Sequence, residues 1–329
     1  MFTNNQDGLE LSTLMLINAA ERRGIQVEIL DLEDNFIRLK KGDKIEYVKQ
    51  ATRTSADTYI APLIMENKEV TKVVLREKGI RVPAGIMVKS TTEAMAHYQE
   101  FRGKDIVVKP KSSNFGIGIV IHKNIQCEKC YQLAVNQAFT HDTSVLIEEF
   151  VPGKEYRFLV IDDEVVGILH RVPANVVGDG VHSIAALVVK KNQNPLRGKG
   201  YVSPLEKLRL DHTEIAFLSE QNKSIETIPE VGETVYLREN SNISTGGDSI
   251  DFTDAISADY KAIAVKAAQA VGAKICGADI IIQDLQKVPD DKNYSIIELN
   301  FNPALHIHNY PFVGENRHVD DKVLDLLGF

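Results

Sequence analysis

The chain has 329 residues with an ordinary globular composition, 43% hydrophobic and 26% charged, and this length allows two or three domains. Its 38 Lys and Arg residues against 46 Asp and Glu residues give a net charge of -8 with no basic block, which argues against nucleic acid as a partner. Three cysteines, a polar N-terminus and the lack of a long apolar run predict a cytoplasmic protein with no membrane partner.

The first 65 residues predict a small α/β unit. Apolar residues recur at helical spacing from Leu11 to Arg23, and Gly24 is typical of a helix C-terminus. Three short strand-like runs follow at 25–30, 36–39 and 45–48.

A second unit is expected to begin near residue 66. The pattern from Ala56 to Lys78 is helical and is expected to break at Pro62. Downstream, the patterns predict the following order: a strand at 86–88, a hairpin over 105–123, a helix at 127–139, strands at 144–151, 155–161 and 164–172, a helix at 184–191, a surface loop at 192–203, a strand at 233–239, a loop at 240–249, a helix at 260–271, and two strands around Asp279 and Glu298.

A glycine-rich loop follows a strand that ends near Lys109. It contains Ser112, Ser113, Gly116 and Gly118, whose backbone amides and hydroxyls can approach phosphate oxygens closely. The glycines lead into a strand instead of a helix, which excludes a Walker motif and a dinucleotide fingerprint. Taken alone, the loop is equally consistent with a plain β-hairpin.

Three polar residues interrupt the last two apolar strands. Asp279, Glu298 and Asn300 would be costly there unless something compensates their polarity. Glu298 and Asn300 share a strand face, and pairing Asp279 with Glu298 centres a hairpin on residues 288 and 289. This oxygen set suits Mg²⁺ or Mn²⁺ better than zinc. Ion pairing of the acids with Lys or Arg is the alternative.

Acidic and basic residues flank two turns between these motifs. A strand that ends at Pro152-Gly153 can present backbone groups to an adenine, and Glu155 can accept hydrogen bonds from ribose hydroxyls. Arg171 and Arg238 lie beside glycine-rich loops and are candidates for binding a carboxylate or a developing oxyanion. Surface ion pairing is the alternative for both arginines and the expectation for Arg157.

Two further pairs are given a structural interpretation. Cys127 and Cys130 have redox spacing but no second pair, and we expect two ordinary cysteines at a helix start. His306 and His308 could share a strand face as metal ligands, but without a third soft ligand nearby we expect them to line a substrate site or to stabilise a loop.

Together these motifs resemble the ATP-grasp superfamily. The resemblance implies an α+β fold in which two α+β subdomains grip ATP, here over 66–150 and 151–329, after the small N-terminal unit of 1–65. It also implies magnesium ligation by Asp279, Glu298 and Asn300. Nucleotide contacts are implied for Lys68, Lys109, the Ser112–Gly118 loop, Glu148, Phe150, Val151 and Glu155.

Longer loop motifs narrow the resemblance to one family within this superfamily. The segments RVPANVVGDGVHSI, NPLRGKG, LRENSNISTGGDSIDFTD and ELNFNPALHIH resemble the ATP-grasp half of the bifunctional glutamate-cysteine ligase/glutathione synthetase family and, less closely, cyanophycin synthetase. The resemblance implies ATP-dependent synthesis of glutathione from γ-glutamylcysteine and glycine through an acyl phosphate. In this interpretation Arg171 binds the peptide carboxylate and Arg238 the oxyanion or γ-phosphate.

Several alternatives stay open at this point. Another amino-acid or peptide ligase, and a non-catalytic ATP-binding regulatory module, would share many of these residues. Because the large N-terminal ligase domain of the bifunctional family does not precede residue 1, the chain is expected to be either an excised half or a stand-alone ligase. A homodimer is left open, by analogy alone.

Overall fold

A computed structural model describes residues 8–111, 118–200 and 203–329 of the chain. The helices are α1 (Leu11–Arg22), α2 (Ile60–Glu66), α3 (Lys68–Glu77), α4 (Thr91–Ala96), α5 (Tyr98–Phe101), α6 (Glu128–Phe139), α7 (Ile184–Lys191), α8 (His212–Glu220), α9 (Ala258–Val271), α10 (His306–Asn309) and α11 (Val319–Leu326). The strands are β1 (Gln26–Asp31), β2 (Phe36–Lys41), β3 (Lys44–Lys49), β4 (Gly85–Val88), β5 (Ile106–Pro110), β6 (Val120–His122), β7 (Val145–Glu149), β8 (Lys154–Ile161), β9 (Glu164–Val172), β10 (Asn175–Val177), β11 (Arg197–Gly198), β12 (Leu205–Glu206), β13 (Thr234–Tyr236), β14 (Asp248–Asp251), β15 (Ile275–Ile282) and β16 (Tyr294–Asn300).

The N-terminal unit is α1 followed by the antiparallel sheet β1-β2-β3, as the sequence predicted. Gly24 follows α1 with a φ of 68°, a conformation that glycine adopts without steric cost. The apolar side of this unit packs against α11 and against Leu159, Ile161 and Val166 of the largest sheet. Its hydrophobic core is therefore continuous with the rest of the chain.

Two larger sheets follow. The four-stranded sheet, in the order β4-β7-β5-β6, is covered by α4, α5 and α6 through a core that includes Tyr98 and Tyr131. The five-stranded antiparallel sheet, in the order β14-β9-β8-β15-β16, packs α9 and parts of α2 and α3 on one face. Two sheets with their own helices make the chain α+β, as expected.

The break in the first long helical segment lies elsewhere than predicted. Pro62 is in the first turn of α2, where the backbone N–H that proline lacks has no helical partner to lose. The chain instead breaks at Asn67, which is extended and whose side chain accepts a hydrogen bond from the Val70 amide at 3.4 Å. The prediction of a break at Pro62 was therefore wrong.

Several short helices were not predicted, among them α4, α8 and α11. Two of them carry an N-terminal signal that the sequence contains: Ser90 and Asp211 each cap a helix whose third residue is a glutamate, Glu93 or Glu214. Among the described residues, no helix combines the length and the apolar composition that crossing a bilayer requires.

Candidate active site

A cleft of about 1030 Å³ opens between the four-stranded and the five-stranded sheets. Its walls come from both sheets and from two loops, around residues 203–206 and 239–244. The predicted site residues that line it are Lys68, Lys109, Glu148, Phe150, Val151, Glu155, Arg171, Asp279, Glu298 and Asn300. The fold thus brings together most of the side chains that the sequence analysis singled out, from positions more than 200 residues apart.

Lys109 and Glu148 lie on neighbouring strands at one side of the cleft. Lys109 Nζ lies 2.8 Å from Glu148 Oε2, and the side chain of Glu148 is only 4% exposed. Burial, followed by the nearby charge of Lys68, lowers the pKa of Lys109 to about 8. Glu148, which the resemblance assigned to the adenine and ribose segment, is the direct ion-pair partner of the predicted phosphate-binding lysine.

Phe150 and Val151 continue the chain from β7 towards the Pro152-Gly153 turn. The amide of Phe150 donates to the carbonyl of Asp105 at 2.9 Å, which fixes this segment beside β5. The Lys123 ammonium lies 2.9 Å from the centre of the Phe150 ring, a cation–π contact. An aromatic ring and an apolar side chain together suit a flat nucleobase.

Asp279 and Glu298 face each other across β15 and β16, in the register that the sequence predicted. Asn300 donates a 3.4 Å hydrogen bond to Asp279, and Glu298 lies 3.5 Å from the ammonium of Lys68. Asp279 is 2% exposed, whereas Glu298 is 33% exposed and faces the cleft. All three side chains carry oxygen atoms, the ligand type that Mg²⁺ and Mn²⁺ prefer.

Arg157 compensates the charge of Asp279. It is the Cα partner of Asp279 across β8 and β15, and its Nη2 donates to Asp279 Oδ2 at 2.7 Å. Burial opposes ionisation of Asp279, but the charges of Arg157 and Arg171 outweigh this effect and hold its pKa below the ordinary range. Arg157 is only 11% exposed, so the expectation of a surface ion pair was wrong. The alternative for buried acids, pairing with arginine, applies to Asp279.

The two other arginines differ in their position. Arg171 lines the cleft, where it pairs with Glu155 and lies 3.3 Å from Asp279. Arg238 is not among the described residues that line the cleft, and its guanidinium pairs with the buried Glu214 of α8. The structure therefore brings Arg171, but not Arg238, to the other site residues.

A buried arginine that the sequence analysis did not single out holds the cleft loops. Arg197 donates to the carbonyl oxygens of Glu206 at 2.7 Å and Gly246 at 3.1 Å, and it pairs with the carboxylate of Asp248. Lys191 pairs with the other oxygen of Asp248 at 2.6 Å. This cluster ties both cleft loops to β14. The motif NPLRGKG contains Arg197, but nothing in its spacing predicts burial.

The structure corrects part of what was expected of the histidine and cysteine pairs. His306 and His308 lie on the short helix α10, neither on a strand nor in a loop; His306 lines the cleft, whereas His308 is buried behind it. Cys127 and Cys130 are joined by a disulfide at the start of α6, with Cα atoms 5.1 Å apart, so they are not two ordinary cysteines as expected.

Part of the predicted glycine-rich loop lies outside the described residues. This applies to Ser112, Ser113 and Gly116. Gly118, the last glycine of the motif, has a φ of 75°, and a Cβ at this position would lie 2.6 Å from the His141 ring. A side chain at 118 is therefore excluded on both conformational and steric grounds.

Family models match most of the chain. An ATP-grasp-like domain matches residues 7–60, and a RimK-like ATP-grasp domain matches residues 65–179 and 216–315. The chain belongs to the ATP-grasp family. The boundary between the two matches, between residues 60 and 65, lies at α2.

Close relatives are found among bacterial proteins. The chain is 55% identical to a protein of Desulfotalea psychrophila and 56% identical to one of Clostridium perfringens, both named glutathione biosynthesis bifunctional protein GshAB, over 98% of this chain and 41% of each relative. The crystal structure of a bifunctional glutathione synthetase from Pasteurella multocida superimposes with a TM-score of 0.80 at 47% identity, over 98% of this chain and 43% of that one. The chain thus spans about two fifths of the length of the relatives it matches.

Proposed function

We propose that this chain is an ATP-dependent ligase that joins a carboxylate to an amine, and that it synthesises glutathione from γ-glutamylcysteine and glycine. One observation carries the proposal: two lysines, the Glu148–Val151 segment and three oxygen ligands, all expected from an ATP-grasp enzyme, line a single cleft. Identities of 55–56% over 98% of the chain to proteins named for glutathione biosynthesis support the choice of substrates.

The cleft is divided into a nucleotide side and a reaction side. Phe150 and Val151 pack against the adenine, and Glu155 accepts hydrogen bonds from the ribose hydroxyls once Arg171 releases it. Lys109 and Lys68 bind the phosphates, because both lysines line the same cleft and their ammonium groups attract the negative charge of phosphate. The loop that contains Ser112, Ser113, Gly116 and Gly118 covers the phosphates in this proposal.

Asp279, Glu298 and Asn300 would hold Mg²⁺ or Mn²⁺, which would offset the negative charge of the phosphates during transfer. The donor set fits a hard cation because all three side chains offer oxygen and two of them are carboxylates. Two arginines neutralise the charge of Asp279, whereas Glu298 is partly exposed in the cleft and lies 3.5 Å from a single lysine, Lys68. The negative charge of Glu298 is therefore less fully compensated than that of Asp279.

The reaction follows from this arrangement in two steps. A carboxylate oxygen of γ-glutamylcysteine attacks the γ-phosphorus of ATP; the bond to the bridging oxygen breaks, and ADP leaves. The ammonium group of glycine loses a proton, and the resulting amine attacks the carbonyl carbon of the acyl phosphate. Inorganic phosphate leaves, and the nitrogen loses a second proton as the amide forms. Because an acyl phosphate hydrolyses in water, both cleft loops must exclude solvent between the steps. Arg171 lies where it can bind the substrate carboxylate or a developing oxyanion.

The decisive experiment is phosphate release from Mg-ATP with γ-glutamylcysteine, with and without glycine, followed by mass analysis of the product. Glycine-dependent release together with the mass of glutathione supports the proposal. Release that depends instead on other amino acids or dipeptides would identify another ligase, and nucleotide binding without release under any of these conditions would identify a non-catalytic module.

A cytoplasmic location and a homodimer remain predictions.

A further inference from the structure

Two lysines share one buried carboxylate beside the cleft. Lys72 of α3 pairs with Oε1 of Glu148, and Lys109 of β5 pairs with Oε2 at 2.8 Å. The side chains of Lys72 and Glu148 are each 4% exposed, and that of Lys109 is 14% exposed. Two lysines thus share one buried carboxylate at a place where water provides little screening of their mutual repulsion.

The backbone makes room for this arrangement. Gly85 of β4 is the Cα partner of Glu148, and a Cβ at Gly85 would lie 2.7 Å from Glu148 Cγ and 2.4 Å from the Ile147 carbonyl oxygen. Only glycine allows the Glu148 side chain to lie against β4 at this point. The position of the carboxylate between the two ammonium groups therefore depends on the packing of both neighbouring strands.

Of the two lysines, only Lys109 lines the large cleft; Lys72 lies behind it. If Lys109 turns from Glu148 to bind phosphate, it leaves a buried carboxylate that still needs a counter-charge. An uncompensated buried charge of this kind is strongly unfavourable. Lys72, already on the other oxygen, supplies that counter-charge without moving.

We propose that Lys72 is a positioning residue: it keeps Glu148 neutralised so that Lys109 is released to the phosphates of the nucleotide. This inference rests on the proposed function in one respect, namely that Lys109 binds phosphate. The role is separate from that of Lys68, which lies one helical turn earlier and whose ammonium lies 3.5 Å from Glu298.

Proton uptake gives the proposal a signature that a packing role would lack. The charged groups around Lys72 are Glu148, Glu69 at 3.9 Å, Lys109, Arg76 and Lys68. Burial, followed by the charge of Lys109, lowers the pKa of Lys72 to about 7. When Lys109 moves towards phosphate, its repulsion of Lys72 falls, and Lys72 binds a proton at pH 8.

A four-protein cycle tests the inference by calorimetric binding of a non-hydrolysable ATP analogue with Mg²⁺. The proteins are the wild type, Lys72→Met, Glu148→Gln and the double variant, with Lys78→Met as the matched control because Lys78 is an exposed lysine at the end of the same helix. We expect Lys72→Met to weaken binding at least about 10-fold and to reduce proton uptake at pH 8, because Glu148 then retains Lys109. Adding Glu148→Gln to Lys72→Met should restore affinity to within about 3-fold of Glu148→Gln alone.

Each outcome separates the inference from the proposed function. Wild-type affinity and proton uptake in Lys72→Met, or losses that simply add in the double variant, would overturn the role of Lys72 while leaving the ligase proposal intact. Absence of nucleotide binding by the wild type would instead remove the proposed function. If Lys72→Met does not fold, the nucleotide affinities of Glu148→Gln and of the double variant are compared with each other. Affinities that agree within about 3-fold support the inference, and affinities that differ by about 10-fold or more contradict it.

Discussion

Arg157 and Asp279 are directly opposed on adjacent strands at the base of the cleft, with two nitrogens of the guanidinium on the two oxygens of the carboxylate. A bidentate pair of this kind has both charge and fixed geometry. It presents the predicted metal ligands as one organised group, since Asn300 also donates to Asp279. Arg157 is thus a structural partner of the site although it is not among the family residues that the sequence motifs identify.

Replacing Arg157 with Met should destabilise the protein. Asp279 is 2% exposed and would keep only Arg171, at 3.3 Å, as a cationic neighbour. Loss of one member of a buried pair costs about 3–5 kcal/mol, and we expect about 3 kcal/mol here because Arg171 remains. Urea unfolding measures the loss. The exposed pair Lys322–Glu164 provides the control, in which Lys322→Met should change stability by less than about 1 kcal/mol. Equal losses in the two variants would contradict the structural role of Arg157.

Replacing Glu298 with Gln should remove activity and retain the fold. Glu298 is partly exposed in the cleft, so its neutral isostere leaves no buried charge unpaired. The loss of one anionic oxygen from the proposed metal set should reduce phosphate release by roughly 100-fold or more. Thermal unfolding should stay within a few degrees of the wild type. Glu164→Gln, an exposed acid on β9, is the matched control. Normal turnover by Glu298→Gln would remove Glu298 from the metal site.

The pairing of the last two strands could be predicted from the sequence for a physical reason. A polar side chain inside an apolar strand must meet a partner, and a hairpin centred on residues 288 and 289 brings Asp279 opposite Glu298. The short helices were harder to predict, because α4 and α11 are too short to show a clear helical repeat of apolar residues. Pro62 does not break α2, because proline disrupts a helix only when it lies beyond the first turn.

The site was predicted less completely than the fold. Lys72 recurs four residues after Lys68 on a helix, a spacing that is equally typical of a solvated face, and only the packing of β7 against α3 shows that it is buried. The sequence placed Arg157 on a strand, but it could not tell which cross-strand neighbour the side chain meets. Burial of a charged residue depends on tertiary contacts that no local pattern encodes.

Nucleotide binding should weaken as the pH rises above about 8. Burial lowers the pKa of Lys109 to about 8 and that of Lys72 to about 7, so both lose charge over a range in which a free lysine remains protonated. Bound phosphate favours the charged form of Lys109, and binding therefore takes up protons near pH 8 and takes up fewer near pH 6. Calorimetry in two buffers of different ionisation enthalpy measures the uptake. Uptake that is unchanged in Lys109→Met would show that its source is another group.

Acid should destabilise the protein through the histidines of α10. Burial lowers the pKa of His308 to about 3 and that of His306 to about 4, and neither ring nitrogen of His308 has a hydrogen-bond partner among the described residues. The unfolded chain, with an ordinary histidine pKa near 6.5, binds more protons than the folded chain between about pH 6.5 and pH 4, so stability falls as the pH falls through this range.

Each histidine that must stay neutral contributes up to about 1.4 kcal/mol per pH unit to this slope. His308→Leu, of similar volume and without a buried proton acceptor, should therefore flatten the dependence of the unfolding free energy on pH between 6.5 and 4.5 while changing it little at pH 7.5. His212→Leu makes the same change at an exposed position on α8 and should leave the slope as it is in the wild type. Urea unfolding midpoints of both variants at several pH values measure these slopes. If the unfolding free energy of His308→Leu depends on pH as steeply as that of the wild type, acid sensitivity arises from other groups.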